Sequence, residues 1–124
     1  MVTAYIEALN AHDPERIVAL VTEDFVNDHT SARSTSLRGR AAYRERLDHF
    51  LAEMVDLRYE VERMVTEGPA VAVAYRMTAR WRHEGTLRPF TLRGAFLFEV
   101  RDGLVAHRVD YRDGVDFERQ VGLR

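Results

Sequence analysis

Hydrophobic residues in the first half of this 124-residue chain recur at three- and four-residue spacing, and in the second half at every other position. The change of period divides the chain into helices first and strands afterwards. In "TAYIEALNAHDPERIVALVTEDF", Ile6, Leu9, Ile17, Leu20 and Val21 supply the apolar stripes of two helices. Thr3 is placed to cap the first, and Asp13 followed by Pro14 is the signature of a second helix start. "FVNDH" then predicts a short strand and "TSARSTS" a polar loop. A third helix is expected from about Arg40 in "GRAAYRERLDHFLAEMV", with Tyr43, Leu47, Phe50, Leu51 and Met54 on its apolar side.

The period-two segments are "LRYEVERMV", "AVAVAYRMTARWRH", "PFTLRGAFLFEV" and "LVAHRVDYR", separated by the turn-forming "TEGP", "EGTLR" and "RDG". A short helix is expected after them in "VDFERQVG". This order predicts a single α+β domain over residues 1–124, with helices laid on one twisted antiparallel meander. Long strands twist strongly, so helices on the concave side leave a pocket between themselves and the sheet. Tyr43, Phe50, Trp81, Phe96 and Phe98 are candidates to line it, although the same aromatics would serve equally as core.

Composition narrows the chemistry. Eighteen basic residues against 20 acidic ones leave a net charge of −2, which argues against a broad grip on nucleic acid or an anionic membrane. Cysteine and lysine are both absent, so thiol nucleophiles, disulfides and Schiff-base lysines are excluded, and every basic charge is a fixed guanidinium. No run approaches the ~20 apolar residues of a membrane span. The opening "MVTAYIEALN" reads as a helix start, so a soluble cytosolic protein is expected. His12, His49, His83 and His107 lack ligand spacing, and no metal or other cofactor is expected; no glycine-rich phosphate loop or G-x-S-x-G elbow occurs.

In "AHRVDYRDG", alternation places Arg108, Asp110 and Arg112 on one strand face and His107, Val109 and Tyr111 on the other. A carboxylate between two guanidinium groups suits either a solvated ionic face or a cavity wall. In the second case the arginines favour the anion, ready to accept a proton. Arg76, Arg80 and Arg82 share a face of their own strand, and a hairpin turning near Gly68 would bring Glu60 beside Arg76; exposed cross-strand pairing explains much of this pattern, with an anionic-ligand patch as the alternative.

Three stretches, "YIEALNAHDPERIVALVTEDFV", "LRGRAAYRERL" and "FEVRDGLVAHRVDYRD", resemble the nuclear-transport-factor-2-like superfamily, in particular its SnoaL-like polyketide cyclase branch, with ketosteroid isomerase as a relative. The resemblance implies a cone-shaped α+β fold, a strongly curved sheet packed on three N-terminal helices, a hydrophobic pocket for a small apolar ligand, and a homodimer. It also implies that Asp110, in "RVDY", is a general acid or base. Tyr5 falls where ketosteroid isomerases carry an oxyanion-stabilising tyrosine. Their base position falls on His29, with Asp28 adjacent, and Phe96 replaces their second oxyanion donor. His29 would titrate near neutrality, with Asp28 able to raise its pKa; on a regular strand only one of the two enters the pocket. Limonene epoxide hydrolase, a third relative, uses two carboxylates linked by an arginine; Asp110 is one candidate carboxylate, and only Arg93 and Glu99, on one strand face, approach the rest. The expected site is therefore Asp110, His29 and Tyr5 as catalytic groups, with Asp28, Arg108, Tyr43, Phe50, Trp81, Phe96 and Phe98 around the ligand. The same fold also hosts non-catalytic binders and scaffolds.

Overall fold

A computed structural model describes residues 1–30 and 35–123. Helices α1 (Val2–Asn10) and α2 (Pro14–Val18) lead into β1 (Val21–His29) and a two-residue strand β2 (Leu37–Arg38). Helix α3 (Arg40–Glu53) precedes the long strands β3 (Met54–Glu67), β4 (Ala70–His83) and β5 (Thr86–Arg101), then β6 (Leu104–Arg112) and α4 (Gly114–Gln120). The six strands form one mixed sheet in the order β2-β1-β6-β5-β4-β3. The α+β architecture expected from the change of period is the one observed, with a fourth helix after the sheet.

Alternation decides the two faces of this sheet. On β4, Val71, Val73, Tyr75, Met77, Ala79 and Trp81 are buried while the intervening residues are exposed or half-buried. The inward side chains meet Tyr5, Ile6 and Leu9 of α1, Ile17 of α2, and Tyr43 and Leu47 of α3 in one hydrophobic core. Burying a large apolar side chain contributes roughly 1.5–3 kcal/mol, so this layer is the main source of stability. Helix α4 is fastened by Phe117, which stands edge-on to Trp81 and Phe90. Irregularities in the β3–β4 register, one beside Asp56 at φ 57°, bend the sheet around the helices.

Several expectations need correction. The helical pattern is expected to run up to a strand beginning at Phe25, but α2 ends at Val18 and the chain is a strand from Val21. Pairing with the central strand wins there: Val21 sits opposite Val105, whose N–H donates to the Leu20 carbonyl at 2.9 Å. Thr3 does not cap α1, because burial of Val2 draws the helix start back to Met1. Asp13 does cap α2, accepting from the Arg16 N–H at 3.2 Å. The loop expected over residues 30–36 lies partly outside the described residues, and Leu37–Arg38 beyond it adds an edge strand that the pattern does not announce. Glu60 does pair with Arg76 across the first hairpin, and both are exposed.

Candidate functional site

One topological fact assembles the site: β1 runs parallel to β6, with Asn27 beside Arg108 and His29 beside Asp110. Thr30 locks that register by donating from its N–H and its hydroxyl to the Asp110 carbonyl, at 3.2 and 3.0 Å. Parallel neighbours project to the same side, so two polar residues of β1 join Arg108, Asp110 and Arg112 of β6 on the concave face. Above them lies a cavity of about 250 Å³, close to the lower end of ligand clefts at roughly 300 Å³. Its apolar wall includes Leu47, Phe50, Met54, Trp81, Phe90 and Leu92.

Asp110 is buried at the floor of this cavity, its side chain 1 % exposed. Tyr75 donates its hydroxyl to Asp110 Oδ1 at 2.6 Å. Near Oδ2 stand Arg112 Nε at 3.6 Å and His29 Nδ1 at 3.9 Å, both beyond a good hydrogen bond. One carboxylate oxygen is thus anchored, while the other has charged and polar neighbours but no close donor among the described residues. Burial and the negative charge of Asp110 push the Tyr75 hydroxyl far above the ordinary phenol range, so it stays a donor.

Tyr75 reaches Asp110 because of a glycine. Gly94 lies opposite Tyr75 on β5, and a Cβ placed there would come within 2.6 Å of the Tyr75 hydroxyl and 2.7 Å of the Tyr111 carbonyl. A glycine inside "TLRGAFLFEV" is the sequence mark of such a close approach. Sequence reasoning missed Tyr75 for want of that link.

The other end of the floor is built on Arg108, which is 6 % exposed. Its Nε and Nη2 donate to Asn27 Oδ1 at 3.1 and 2.8 Å, and Nη1 donates to the Tyr5 hydroxyl at 3.0 Å. The guanidinium lies 5.1 Å from the Phe96 ring centre and 5.8 Å from that of Tyr43. Tyr5 and Tyr43 share a short hydroxyl–hydroxyl hydrogen bond. Either hydroxyl can be the donor in that bond; with Tyr5, which already accepts from Arg108, donating to Tyr43, the Tyr43 proton is left for a further acceptor. Burial raises the Tyr5 hydroxyl well above its usual pKa against the opposing pull of Arg108, consistent with a protonated relay.

The structure gathers Asp110, His29, Arg108, Tyr43, Phe50 and Trp81 around the cavity. The remaining expected residues lie elsewhere. Tyr5 is completely buried and does not line the cavity, whereas Tyr43, its hydrogen-bond partner, does. Phe96 and Phe98 are core residues, packed among Tyr5, Tyr59 and Tyr75 rather than lining the cavity. Asp28 is turned outward by strand alternation and accepts from the Ser36 hydroxyl at 2.8 Å, with His107 Nε2 at 3.6 Å. It therefore leaves His29 alone. The His29 pKa falls from 6.5 to about 4 because burial and the positive charge of Arg108 outweigh Asp110, the reverse of the expected rise. Arg93 and Glu99 are both exposed on the far side of the sheet, away from Asp110, which removes the epoxide-hydrolase arrangement. Asn27, Tyr59 and Arg112 also line the cavity; Tyr59 is pushed up to about 12 by burial. Among the described residues, no three His, Asp or Glu side chains converge to hold a metal ion, and no helix is long and apolar enough to cross a membrane.

These features place the chain among known proteins. A candidate SnoaL-like polyketide cyclase from Shewanella denitrificans superposes with a TM-score of 0.89 at 19 % identity, over 99 % of this chain and 95 % of that one. A protein with a ketosteroid-isomerase-like fold from Catenulispora acidiphila, in complex with trimethylamine, gives 0.87 at 20 %, over 99 % and 92 %. A candidate polyketide cyclase from Xanthomonas campestris gives 0.80 at 26 %, over 97 % and 93 %. No curated protein matches the sequence. The family model of the SnoaL-like domain matches residues 2–108, and the chain belongs to that family.

Proposed function

We propose that the chain is a cofactor-independent acid–base enzyme of cyclase or isomerase type, acting on an apolar carbonyl compound held in the cavity. The observation that carries this reading is the divided environment of Asp110: Oδ1 is fixed by Tyr75, and Oδ2 has no close donor among the described residues. A fixed carboxylate with one uncommitted oxygen is suited to remove a proton from carbon next to a carbonyl. The C–H bond breaks, the proton goes to Oδ2, and the electron pair moves to the carbonyl oxygen as an enolate. Tyr43 donates to that oxygen, backed by Tyr5 and Arg108. Isomerisation ends with the proton returned to another carbon. Aldol cyclisation ends with the enolate carbon bonded to a second carbonyl carbon and the proton on the new alkoxide. His29, neutral at pH 7, is the second proton carrier beside Oδ2.

Two solved neighbours are described with small molecules, trimethylamine in one and polyporic acid in the other, which supports a ligand-holding role for the hollow. The outer sheet face supports a homodimer: Val65, Ala72, Leu97 and Val109 form one row across four strands, and Ala74, Ala95 and Tyr111 the next. The catalytic reading is tested by deuterium incorporation next to the carbonyl of cyclic ketones and 1,3-diketones in D2O, followed by NMR. Wild-type protein accelerates exchange, and Asp110→Asn lowers it by ~10²–10⁴ while the fold is retained. Ligand binding without exchange, or exchange indifferent to Asp110→Asn, returns the protein to the binding-module reading.

A further inference from the structure

The charges on the cavity floor do not balance. Asp110 is matched by Arg112, whose Nε lies 3.6 Å from Oδ2, and by the Tyr75 hydroxyl. Arg108 has no carboxylate within ion-pair distance among the described residues; its hydrogen-bond partners, Asn27 and Tyr5, are neutral. The guanidinium has five N–H groups, and three are engaged, leaving one on each terminal nitrogen. Arg108 is nonetheless buried and lines the cavity. Asp110 attracts Arg108 at longer range but serves Arg112 as well, so one carboxylate faces two guanidinium groups; an under-compensated buried cation is costly, and aromatic faces offset only part of that cost. Arg46, Glu53 and Asp113 also border the hollow, but they lie on its more exposed rim, where solvent screens them.

We infer that the ligand is an organic anion, an apolar ring body bearing a carboxylate, with the carboxylate seated on the two uncommitted N–H groups of Arg108. The adjacent Tyr43 hydroxyl can donate to the same group or to a neighbouring carbonyl, and the ring body lies against Phe50, Trp81 and Phe90. This narrows the substrate class of the reading above and rests on the same cavity, but it concerns binding charge, not turnover.

The test compares three probes of one shape by titration calorimetry: 2-naphthoate, 2-naphthamide and 2-naphthylmethylammonium. The expected result is naphthoate binding at least about tenfold more tightly than the amide, the ammonium weakest, and the side-chain N–H signals of ¹⁵N-labelled Arg108 shifted by naphthoate alone. Arg108→Gln abolishes the preference. If that variant does not fold, the wild-type ranking and the Arg108 signals decide the matter. Equal binding of acid and amide, preference for the ammonium, or no binding of any probe overturns the inference. Carboxylate preference without exchange catalysis would remove the enzymatic reading and leave this one standing. Exchange of neutral ketones without carboxylate preference would do the opposite.

Discussion

On the surface of the molecule, Arg93 forks onto Glu62 with Nε and Nη2 at 3.0 and 3.1 Å, and Arg80 and Arg101 reach Asp56 and Asp24. In the cavity, Arg112 stands 3.6 Å from Asp110 without a hydrogen bond to it, and the hydrogen-bond partners of Arg108 among the described residues are an amide and a phenol. The better ion-pair geometry is outside, where water already solvates both partners and the net gain is small. Inside, imperfect pairing has larger consequences because burial weakens the screening. Close contact between opposite charges is thus a poor guide to where charge matters in this protein.

The sharpest way to break this comparison is to alter the interior without touching a charge. Gly94→Ala puts a methyl group into the Tyr75 hydroxyl and the Tyr111 carbonyl, and is expected to cost about 3 kcal/mol in urea unfolding while displacing Tyr75 from Asp110. Tyr75→Phe, which removes the donor but keeps the ring, relieves part of that clash in the double variant. A neutral Gly94→Ala would show that the concave face yields easily.

A pH titration sharpens the contrast. His29 has a native pKa of about 4 against 6.5 when free, so the unfolded chain takes up the proton first. Its contribution is full above pH 6.5 and is lost as the pH falls through about 4, amounting to roughly 1–3 kcal/mol after allowance for solvent at the cavity mouth. His29→Gln should flatten the stability profile over that interval. An identical slope in both proteins would place His29 in contact with solvent.

The smallest effect is expected outside: Arg93→Gln should alter stability by less than about 0.5 kcal/mol, by the same urea measurement, despite removing a two-pronged ion pair. A larger loss would mean that the surface pair is more than a solvated contact.

What could be read from the sequence follows the range of the forces involved. Alternation in "LVAHRVDYR" correctly separates Arg108 and Asp110 from Tyr111, because side-chain period is a local property of a strand. Asp13–Pro14 likewise marks its helix start locally. The inward turn of His29 rather than Asp28 depends on which strand β1 pairs with, and the burial of Tyr5 depends on how α1 and α3 dock. Neither is encoded within a few residues. Tyr75 was hidden for the same reason: its partner lies 35 positions away, and the glycine that admits it belongs to another strand.

The parallel seam between β1 and β6 also has a bearing on biosynthesis. The second-last element described lies near the middle of the sheet, so residues 21–29, synthesised well before residues 104–112, wait for them before they can join it. Until then the hollow lacks the floor that Arg108, Asp110 and Arg112 supply.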